Sequence, residues 1–308
     1  MGSGSWSTDV YKAQDTYRRK AGVSAFAYSD NGATTTHADL NPKGVKVRES
    51  RDSAEHPNAL PIAIMLDVTG SMASIPRELQ RRLPALFGLL LRRGYALDPQ
   101  ILFGAIGDAF TDSAPLQVGQ FESDNRTDAD LGKLYLEGNG GGQKSESYEL
   151  GAYFLARHTA LDAAEKHGRR GFCFFIGDEQ AYLQVRKDQV RALIGDELTE
   201  SLSTKAIFEE LKTKFDVYYI MPEGASHSGD RQVIDSWRAL VGQNIIMLAD
   251  LDAVCETIAL TIGLGEGTVD LAQGINDLAD VGSNAGAVVG KALSGLPAKV
   301  ASAPVASA

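Results

Sequence analysis

Three short groups of polar residues in this sequence have the types and spacing that would suit a hard cation. Asp67, Thr69 and Ser71 alternate along one segment, Ser145 precedes a stretch with helical character, and Asp178 follows an apolar run. Hydroxyl oxygens and a few carboxylates are ligands that Mg²⁺ accepts, usually together with retained waters. We therefore predict a Mg²⁺ site built from these five residues, and the same oxygens could hold Mn²⁺ or Ca²⁺.

The segments that precede these groups indicate how they could meet. Residues 61–66 and 171–176 are continuous apolar runs of the kind that form buried strands, and they end shortly before Asp67 and Asp178. Residues 75–93 carry leucines at helical spacing, so a polar turn and a helix follow the first run. In a doubly wound sheet, ligands bind in the crevice at the carboxyl ends of the strands. We expect the polar groups to converge there.

The alternation of strand and helix continues along the chain and predicts the fold class. Strands are expected at residues 61–66, 101–106, 116–121, 171–176, 217–221 and 245–248. Helices are expected at residues 75–93, 127–136, 146–166, 183–194, 204–214, 230–241 and 251–262. The predicted fold is α/β, a doubly wound, mostly parallel six-stranded sheet with helices on both faces and with residues 116–121 as a hairpin partner.

Shifts in composition divide the chain into three parts. Residues 1–58 are rich in polar and turn-forming residues and are predicted to be an N-terminal extension of the domain. Residues 59–264 carry the regular alternation and are predicted to form the domain itself. Residues 265–308 become rich in small residues, and their first part keeps apolar residues at helical spacing, which predicts one helix before a flexible tail.

The polar pattern as a set resembles the metal-ion-dependent adhesion site of von Willebrand factor type A domains, in which D-x-[ST]-x-S is followed by a distant Thr and a distant Asp. Asp67, Thr69 and Ser71 match the first element, and Asp178 matches the distal Asp. Ser145 stands at the place of the distant Thr. The resemblance implies a doubly wound fold and a bound Mg²⁺. It also implies a bacterial or phage protein of the intracellular type within this family.

Four further residues are expected beside the ion, where they would support the ligands or face a partner: Gly70, Asp108, Ser147 and Glu179. In the family, the ion accepts an Asp or Glu from a partner protein. The resemblance therefore implies a non-catalytic adaptor or scaffold, whose partner would be an AAA+ ATPase or a component of an assembly.

Net charge and cysteine content indicate which classes of partner and which cellular compartment the sequence favours. Acidic residues outnumber basic ones 40 to 30, which gives a formal net charge of −10, so nucleic acid and anionic membrane surfaces are disfavoured. Cys173 and Cys255 form no disulfide framework, which suits a reducing cytoplasm. We also expect no membrane span, because no apolar stretch approaches the roughly 20 residues that a helix needs.

Three other functions compete with this interpretation. GNGGGQKS at residues 138–145 nearly matches the phosphate-binding loop G-x-x-x-x-G-K-[ST] of ATPases, but Gln143 stands where that loop needs glycine. A metal-assisted hydrolase would need a general base, for which Asp108 or Glu179 is the candidate. The third alternative is an assembly component whose metal site is vacant.

Overall fold

A computed structural model of the chain describes residues 4–138 and 144–297, with only the backbone described for Ser71 and Ala73. Its strands are β1 (Arg48–Ser50), β2 (Ala59–Asp67), β3 (Asp98–Ile106), β4 (Leu116–Val118), β5 (Ser145–Glu146), β6 (Thr159–Leu161), β7 (Gly171–Ile176), β8 (Gln180–Ala181), β9 (Gln184–Val185), β10 (Leu202–Ser203), β11 (Phe215–Pro222) and β12 (Ile245–Leu248).

The helices lie mainly between these strands. They are α1 (Thr8–Ala21), α2 (Ala27–Asp30), α3 (Ile75–Phe87), α4 (Arg126–Gly132), α5 (Tyr148–Arg157), α6 (Asp162–Glu165), α7 (Lys187–Leu193), α8 (Thr204–Lys212), α9 (Arg231–Val241), α10 (Val254–Glu266), α11 (Leu271–Asp280) and α12 (Gly286–Leu293). Short 3₁₀ segments lie at Ala38–Leu40, Gly70–Ser74 and Leu251–Ala253, and a π turn at Gly88–Arg92 extends α3. Within the described residues, no helix is both long and apolar enough to cross a bilayer.

The central sheet has six strands in the order β12-β11-β7-β2-β3-β4. Neighbouring strands are parallel except for β4, which runs antiparallel to β3. This arrangement confirms the predicted doubly wound, mostly parallel sheet. After β2, the chain adds β3 and then β4 on one side of β2. It later adds β7, β11 and β12 on the other side. The strand order therefore reverses between β2 and β7, the place where such sheets bind ligands.

Both faces of the sheet are covered, which explains why its strands are continuously apolar. Along β2, Ile62 and Ile64 pack in one core with α3 and α10. The alternate residues Ala63 and Met65 pack in a second core with α5, α8 and α9. All nine residues of β2 are buried. Packing on both faces holds β2 in place, so side chains at its carboxyl end have fixed positions.

The N-terminal extension lies against the domain through specific contacts. The ring of Trp6 stacks on that of Phe87 at the end of α3, with 4.3 Å between centroids. Arg18 of α1 forms an ion pair with Asp128 of α4 at 2.9 Å. Further along, β1 pairs in parallel with β6. The extension therefore contributes a strand to the packing of the segment that follows α5.

The single helix predicted over residues 146–166 is wrong. In the structure, β5 comes first, α5 spans only Tyr148–Arg157, and β6 and α6 follow. Glu146 pairs with Ala181 of β8, and β6 pairs with β1 of the extension. These pairings join parts of the chain that are distant in sequence, and tertiary contacts of this kind override local helical preference.

Two other regions also differ in detail from the predicted elements. The helix expected at residues 183–194 begins later, because β9 precedes α7 and pairs with β10. At the C-terminal end, one helix was expected, and the structure has both α11 and α12. These helices pack against each other and against α10. Residues 298–308 of the tail lie outside the described residues.

Candidate functional site

Asp67 ends β2 and is fully buried at the point where the strand order reverses. Its Oδ1 accepts hydrogen bonds from the backbone N–H and the hydroxyl of Thr69, at 2.9 and 2.7 Å. Its Oδ2 accepts a hydrogen bond from the hydroxyl of Tyr148 at 2.8 Å. Gly70 follows with a φ of 42°, a left-handed conformation that glycine adopts with little strain. The carboxylate of Asp67 is thus held in one orientation.

Glu146, which sequence reasoning missed, lies directly against this motif. It is 2% exposed, and its Oε1 is 3.2 Å from the hydroxyl oxygen of Thr69. The Thr69 hydroxyl has one hydrogen and already has Asp67 Oδ1 as its nearer acceptor, so it cannot satisfy both carboxyl groups. In the structure, Glu146 contacts Thr69, whereas the sequence predicted its neighbour Ser145 for this place.

Glu179 completes a pair of buried carboxyl groups with Glu146. The two groups face each other closely enough to form a hydrogen bond. Even so, Oε2 of each receives no hydrogen bond from an N–H or a hydroxyl among the described residues. The backbone carbonyl of Glu179 accepts hydrogen bonds from the indole of Trp237 at 2.7 Å and from the hydroxyl of Tyr219 at 3.1 Å. The backbone at Glu179 is therefore anchored, and the ring Nε2 of His227 lies 4.0 Å from its Oε1.

Asp178 approaches the same cluster from the end of β7. It is 2% exposed, and its Oδ2 accepts a hydrogen bond from the backbone N–H of His227 at 2.9 Å. The preceding residue, Gly177, allows the two strand ends to come close together. A Cβ atom at Gly177 would lie 3.0 Å from the Cβ of Asp67 and would overlap the hydroxyl of Tyr148.

Three carboxyl groups of this cluster, those of Glu146, Glu179 and Asp67, have raised pKa values because burial disfavours their charged forms. Burial, followed by the charges of Asp67 and Glu179, raises the pKa of Glu146 to about 10. Burial, followed by the charges of Asp67 and Asp178, raises that of Glu179 to about 8. Burial also raises the pKa of Asp67 to about 7, although hydrogen bonds from Thr69 and Tyr148 oppose the shift. Burial and mutual repulsion therefore favour the protonated forms of these three acids.

The other residues predicted for the site take different positions. Ser145 is half-buried in β5, opposite Gln180. Ser147 is buried, and its hydroxyl oxygen accepts a hydrogen bond from the backbone N–H of Ala109 at 2.9 Å. Ser71 lies in the 3₁₀ segment after Thr69, and its side chain is outside the described atoms. Of the predicted metal ligands, the structure therefore brings Asp67, Thr69 and Asp178 together.

Asp108, the candidate general base, is fully engaged by hydrogen bonds. Its Oδ1 accepts from the backbone N–H of Phe110 at 3.0 Å and from the hydroxyl of Tyr182 at 3.1 Å. Its Oδ2 accepts from the hydroxyl of Thr111 at 3.1 Å. These bonds organise the loop after β3. Their geometry fits a structural role in that loop better than proton abstraction.

The phosphate-loop alternative falls mainly on residues 139–143, which lie outside the described residues. Lys144, next along the chain, forms an ion pair with Asp230 at 2.6 Å, and strand β5 follows it. In a phosphate-binding loop, the Lys-Ser pair opens a helix whose amide groups face the phosphates. A strand at this place disfavours nucleotide binding.

One observation favours a divalent cation at this place. No N–H or hydroxyl of the described residues donates a hydrogen bond to the buried Oε2 atoms of Glu146 and Glu179, and the hydroxyl of Thr69 lies between Asp67 and Glu146. Among the described residues, no three His, Cys, Asp or Glu side chains are arranged to hold a metal ion by themselves. A cation here would consequently need hydroxyl or water ligands as well, which is the coordination that Mg²⁺ favours.

Comparisons with known proteins provide structural neighbours only. No protein-family model matches the chain. No curated protein matches it either. Among solved structures, the pilus adhesin SpaC from Lactobacillus rhamnosus GG is 8% identical with a TM-score of 0.47, over 70% of this chain and 31% of that chain. Proximal thread matrix protein 1 from the mussel byssus is 8% identical with a TM-score of 0.42, over 66% of this chain and 47% of its own.

The neighbours also include a von Willebrand factor type A protein. This protein, from Catenulispora acidiphila, is 13% identical with a TM-score of 0.40, and the match covers 67% of this chain and 42% of that one. The chain thus spans less than half the length of each of these solved chains. The similarity concerns the fold.

Proposed function

We propose that this protein is a non-catalytic interaction module that binds a partner protein through a divalent cation, with Mg²⁺ as the expected ion. The observation that supports the proposal is a pair of buried oxygens, Oε2 of Glu146 and Oε2 of Glu179, which accept no hydrogen bond from an N–H or a hydroxyl of the described residues and lie near the Asp67–Thr69 motif. Leaving a buried polar group unpaired costs about 1–3 kcal/mol, and more for a charged group. A cation bound at this place would remove that cost.

Asp67, Thr69 and Asp178 are the residues that would hold the ion, directly or through water, with Glu146 and Glu179 beside it. Ser71 belongs to this set by its place in the sequence motif. When bound, the ion supplies an electrophilic position that a carboxylate from another protein can occupy. The rigid end of β2 and the hydrogen bonds from Thr69 and Tyr148 orient Asp67 before any ligand arrives.

The charge of the cluster limits which partner can bind. The carboxylates of Asp67 and Asp178 balance the two charges of a divalent ion, so a neutral Glu146 leaves room for one carboxylate from a partner. Glu179 is a further acidic side chain in the cluster, with the ring Nε2 of His227 4.0 Å from its Oε1. We therefore expect moderate affinity for a partner that presents Asp or Glu, such as an AAA+ ATPase or an assembly component.

A peptide selection would test this function. A displayed library of random peptides with a fixed central Asp is selected on the immobilised protein in Mg²⁺ and recovered with acid, and each selected peptide is then tested for release by EDTA. We expect EDTA to release the selected peptides, and replacement of their Asp by Asn to abolish binding. Asp67→Asn protein should capture none of them, whereas Asp235→Asn, an exposed acid on α9, should behave like the wild type. Binding that persists equally in EDTA would contradict the proposal.

A further inference from the structure

A cavity of about 560 Å³ lies near the amino ends of β7, β11 and β12, away from the candidate metal site at the carboxyl ends of the strands. Tyr218 of β11 and Asn244, which directly precedes β12, line it on the side of the sheet. Helices α10, α11 and α12 close it with mostly apolar residues, among them Leu264, Leu271 and Leu293. Cavities of roughly 300–1,000 Å³ with apolar walls and a few polar groups are typical of small-molecule sites. The size and lining of this cavity therefore fit a small ligand.

Tyr218 brings a hydroxyl group to the cavity. The residue is 8% exposed, and its ring stacks on that of Phe174 with 5.3 Å between centroids. Because the ring is enclosed in the core, the hydroxyl end is the part of Tyr218 that borders the cavity. This hydroxyl makes no hydrogen bond with any residue that the structure describes. A buried hydroxyl without a partner is costly, so a ligand that bonds to it gains affinity.

The charges near this hydroxyl are negative on balance. Burial raises the pKa of Tyr218, the charge of Asp216 raises it further, and the charge of Arg170 opposes the shift less strongly. Arg170 itself is held 2.6 Å from Asp216 by an ion pair. The remaining charged residue in the described part of the lining is Asp270. A ligand carboxylate would therefore be repelled here, whereas an ammonium group would be attracted.

Two other hydroxyl groups of the lining have already used their only hydrogen. The hydroxyl of Thr261 donates at 2.7 Å to a backbone carbonyl of α10. That of Ser294 donates at 2.8 Å to a backbone carbonyl of α12. Both oxygens can therefore only accept a further hydrogen bond. Together with the carboxylate of Asp270, they give the cavity a lining that favours a hydrogen-bond donor.

We propose that this cavity binds a small organic amine with an apolar body. An ammonium group carries three donors and no acceptor, which matches a lining rich in acceptor oxygens. Its donors would face the oxygens of Tyr218, Thr261 and Ser294, and the apolar body would lie among the leucines of α10, α11 and α12. This site is separate from the proposed metal site and does not depend on it.

Three ligands of similar size test the chemistry of the site. Naphthylethylamine, naphthylethanol and naphthylacetate carry an ammonium, a hydroxyl and a carboxylate on the same ring system. Isothermal titration calorimetry uses the 308-residue chain at neutral pH, once in Mg²⁺ and once in EDTA. We expect the amine to bind at one site, the alcohol to bind about three- to tenfold more weakly, and the acetate to show no measurable binding. The amine should bind equally in Mg²⁺ and EDTA, which separates this site from the proposed function.

Two variants locate the bound amine. Tyr218→Phe removes the hydroxyl and keeps the ring, whereas Asp270→Ser removes a charge and keeps a residue that can cap α11. Each should weaken binding of the amine about three- to tenfold. Asp270→Ser should leave the affinity for the uncharged alcohol nearly unchanged. Asp235→Asn, which removes an exposed charge of the same sign on α9, is the control and should bind the amine as the wild type does.

Four results would overturn the proposal. The first is binding of naphthylacetate as tight as that of the amine. Unchanged affinity for the amine in both Tyr218→Phe and Asp270→Ser would show that it binds elsewhere. Equal weakening in Asp235→Asn would show attraction to the net negative charge of the protein rather than to a site. Absence of amine binding to the 308-residue chain would also refute the proposal, including the case in which residues 298–308 occupy the cavity.

Discussion

Thr69 and Glu146 are 77 positions apart in the chain, yet the hydroxyl oxygen of Thr69 lies 3.2 Å from Oε1 of Glu146. The same hydroxyl is 2.7 Å from Oδ1 of Asp67, so its single hydrogen cannot satisfy both carboxyl groups. The contact joins the end of β2 to the short strand β5. It also explains why the cluster needs either protons or a cation.

The first prediction concerns Glu146→Gln. The amide would remove the acid with the most strongly raised pKa in the cluster and would supply N–H donors to neighbouring carboxylates. We expect the free energy of unfolding of the metal-free protein at neutral pH to rise by about 1 kcal/mol. Urea unfolding of the wild type and the variant in EDTA measures this difference in unfolding free energy. A loss of stability of similar size would show that the Glu146 carboxyl group is already well satisfied without metal.

A second prediction concerns Glu179→Gln and partner affinity. The substitution removes an ionisable carboxyl group from the cluster while keeping the shape of the side chain. Above the Glu179 pKa of about 8, affinity for an Asp-containing peptide in Mg²⁺ should increase severalfold, because less repulsion acts on the incoming carboxylate. Fluorescence anisotropy with a labelled peptide, for the wild type and the variant, provides the measurement. Weaker peptide binding together with unchanged Mg²⁺ affinity would mean that Glu179 attracts the partner instead.

A third prediction concerns the close approach at Gly177. In Gly177→Ala, the added Cβ would meet the Tyr148 hydroxyl and the Cβ of Asp67, so the two strand ends must separate. We expect a loss of about 1–3 kcal/mol in the free energy of unfolding, together with weaker Mg²⁺ binding. Gly229→Ala is the control, because a Cβ at Gly229 would meet no atom within 4 Å. Equal stability of the two variants would refute this account of the crevice.

A fourth prediction concerns the stability of the protein at low pH. We expect it to depend on Asp162, which lies in the contact between the N-terminal extension and α6. Burial by itself would raise the pKa of Asp162, but hydrogen bonds from Lys166, the Asp52 N–H and Arg51 lower it to about 2. A carboxyl group whose pKa falls on folding stabilises the protein above its unfolded pKa, and this contribution is lost as the pH falls through the folded pKa. The contribution of Asp162 should therefore disappear between about pH 4 and pH 2.

Asp162→Asn provides the test of that contribution. At neutral pH the variant should lose about 1.5–3 kcal/mol of unfolding free energy, as expected for hydrogen bonds to a charged group. The difference from the wild type should shrink below about pH 4. Asp235→Asn, on the exposed face of α9, should change little across the range. A difference between Asp162→Asn and the wild type that stays constant down to pH 2 would contradict the assignment.

Local sequence patterns were sufficient to predict the sheet, because its strands are buried on both faces. The predicted run at residues 171–176 coincides with β7, and the run at residues 61–66 lies within β2. Apolar runs bounded by polar turns are a strong signal in such sheets. The carboxyl ends of those two strands then placed Asp67 and Asp178 at one crevice without further information.

The position of Glu146 in the site could not be predicted in the same way. Glu146 precedes α5, where an acidic residue is common for reasons of helix capping and dipole. Its role depends on the pairing of β5 with β8, which a helical interpretation of residues 146–166 conceals. Ser145 fitted the family pattern by residue type, whereas strand geometry turns its neighbour toward Thr69. The sequence feature that could have indicated Glu146 was an acidic residue between two serines, shortly after a glycine-rich loop.

The central claim is that a divalent cation binds at the end of β2. Isothermal titration calorimetry of Mg²⁺ into EDTA-stripped protein tests it most directly. We predict saturable binding at one site for the wild type and for Asp235→Asn, and its loss in Asp67→Asn. Absence of binding to the wild type, or equal binding to Asp67→Asn, would contradict the account.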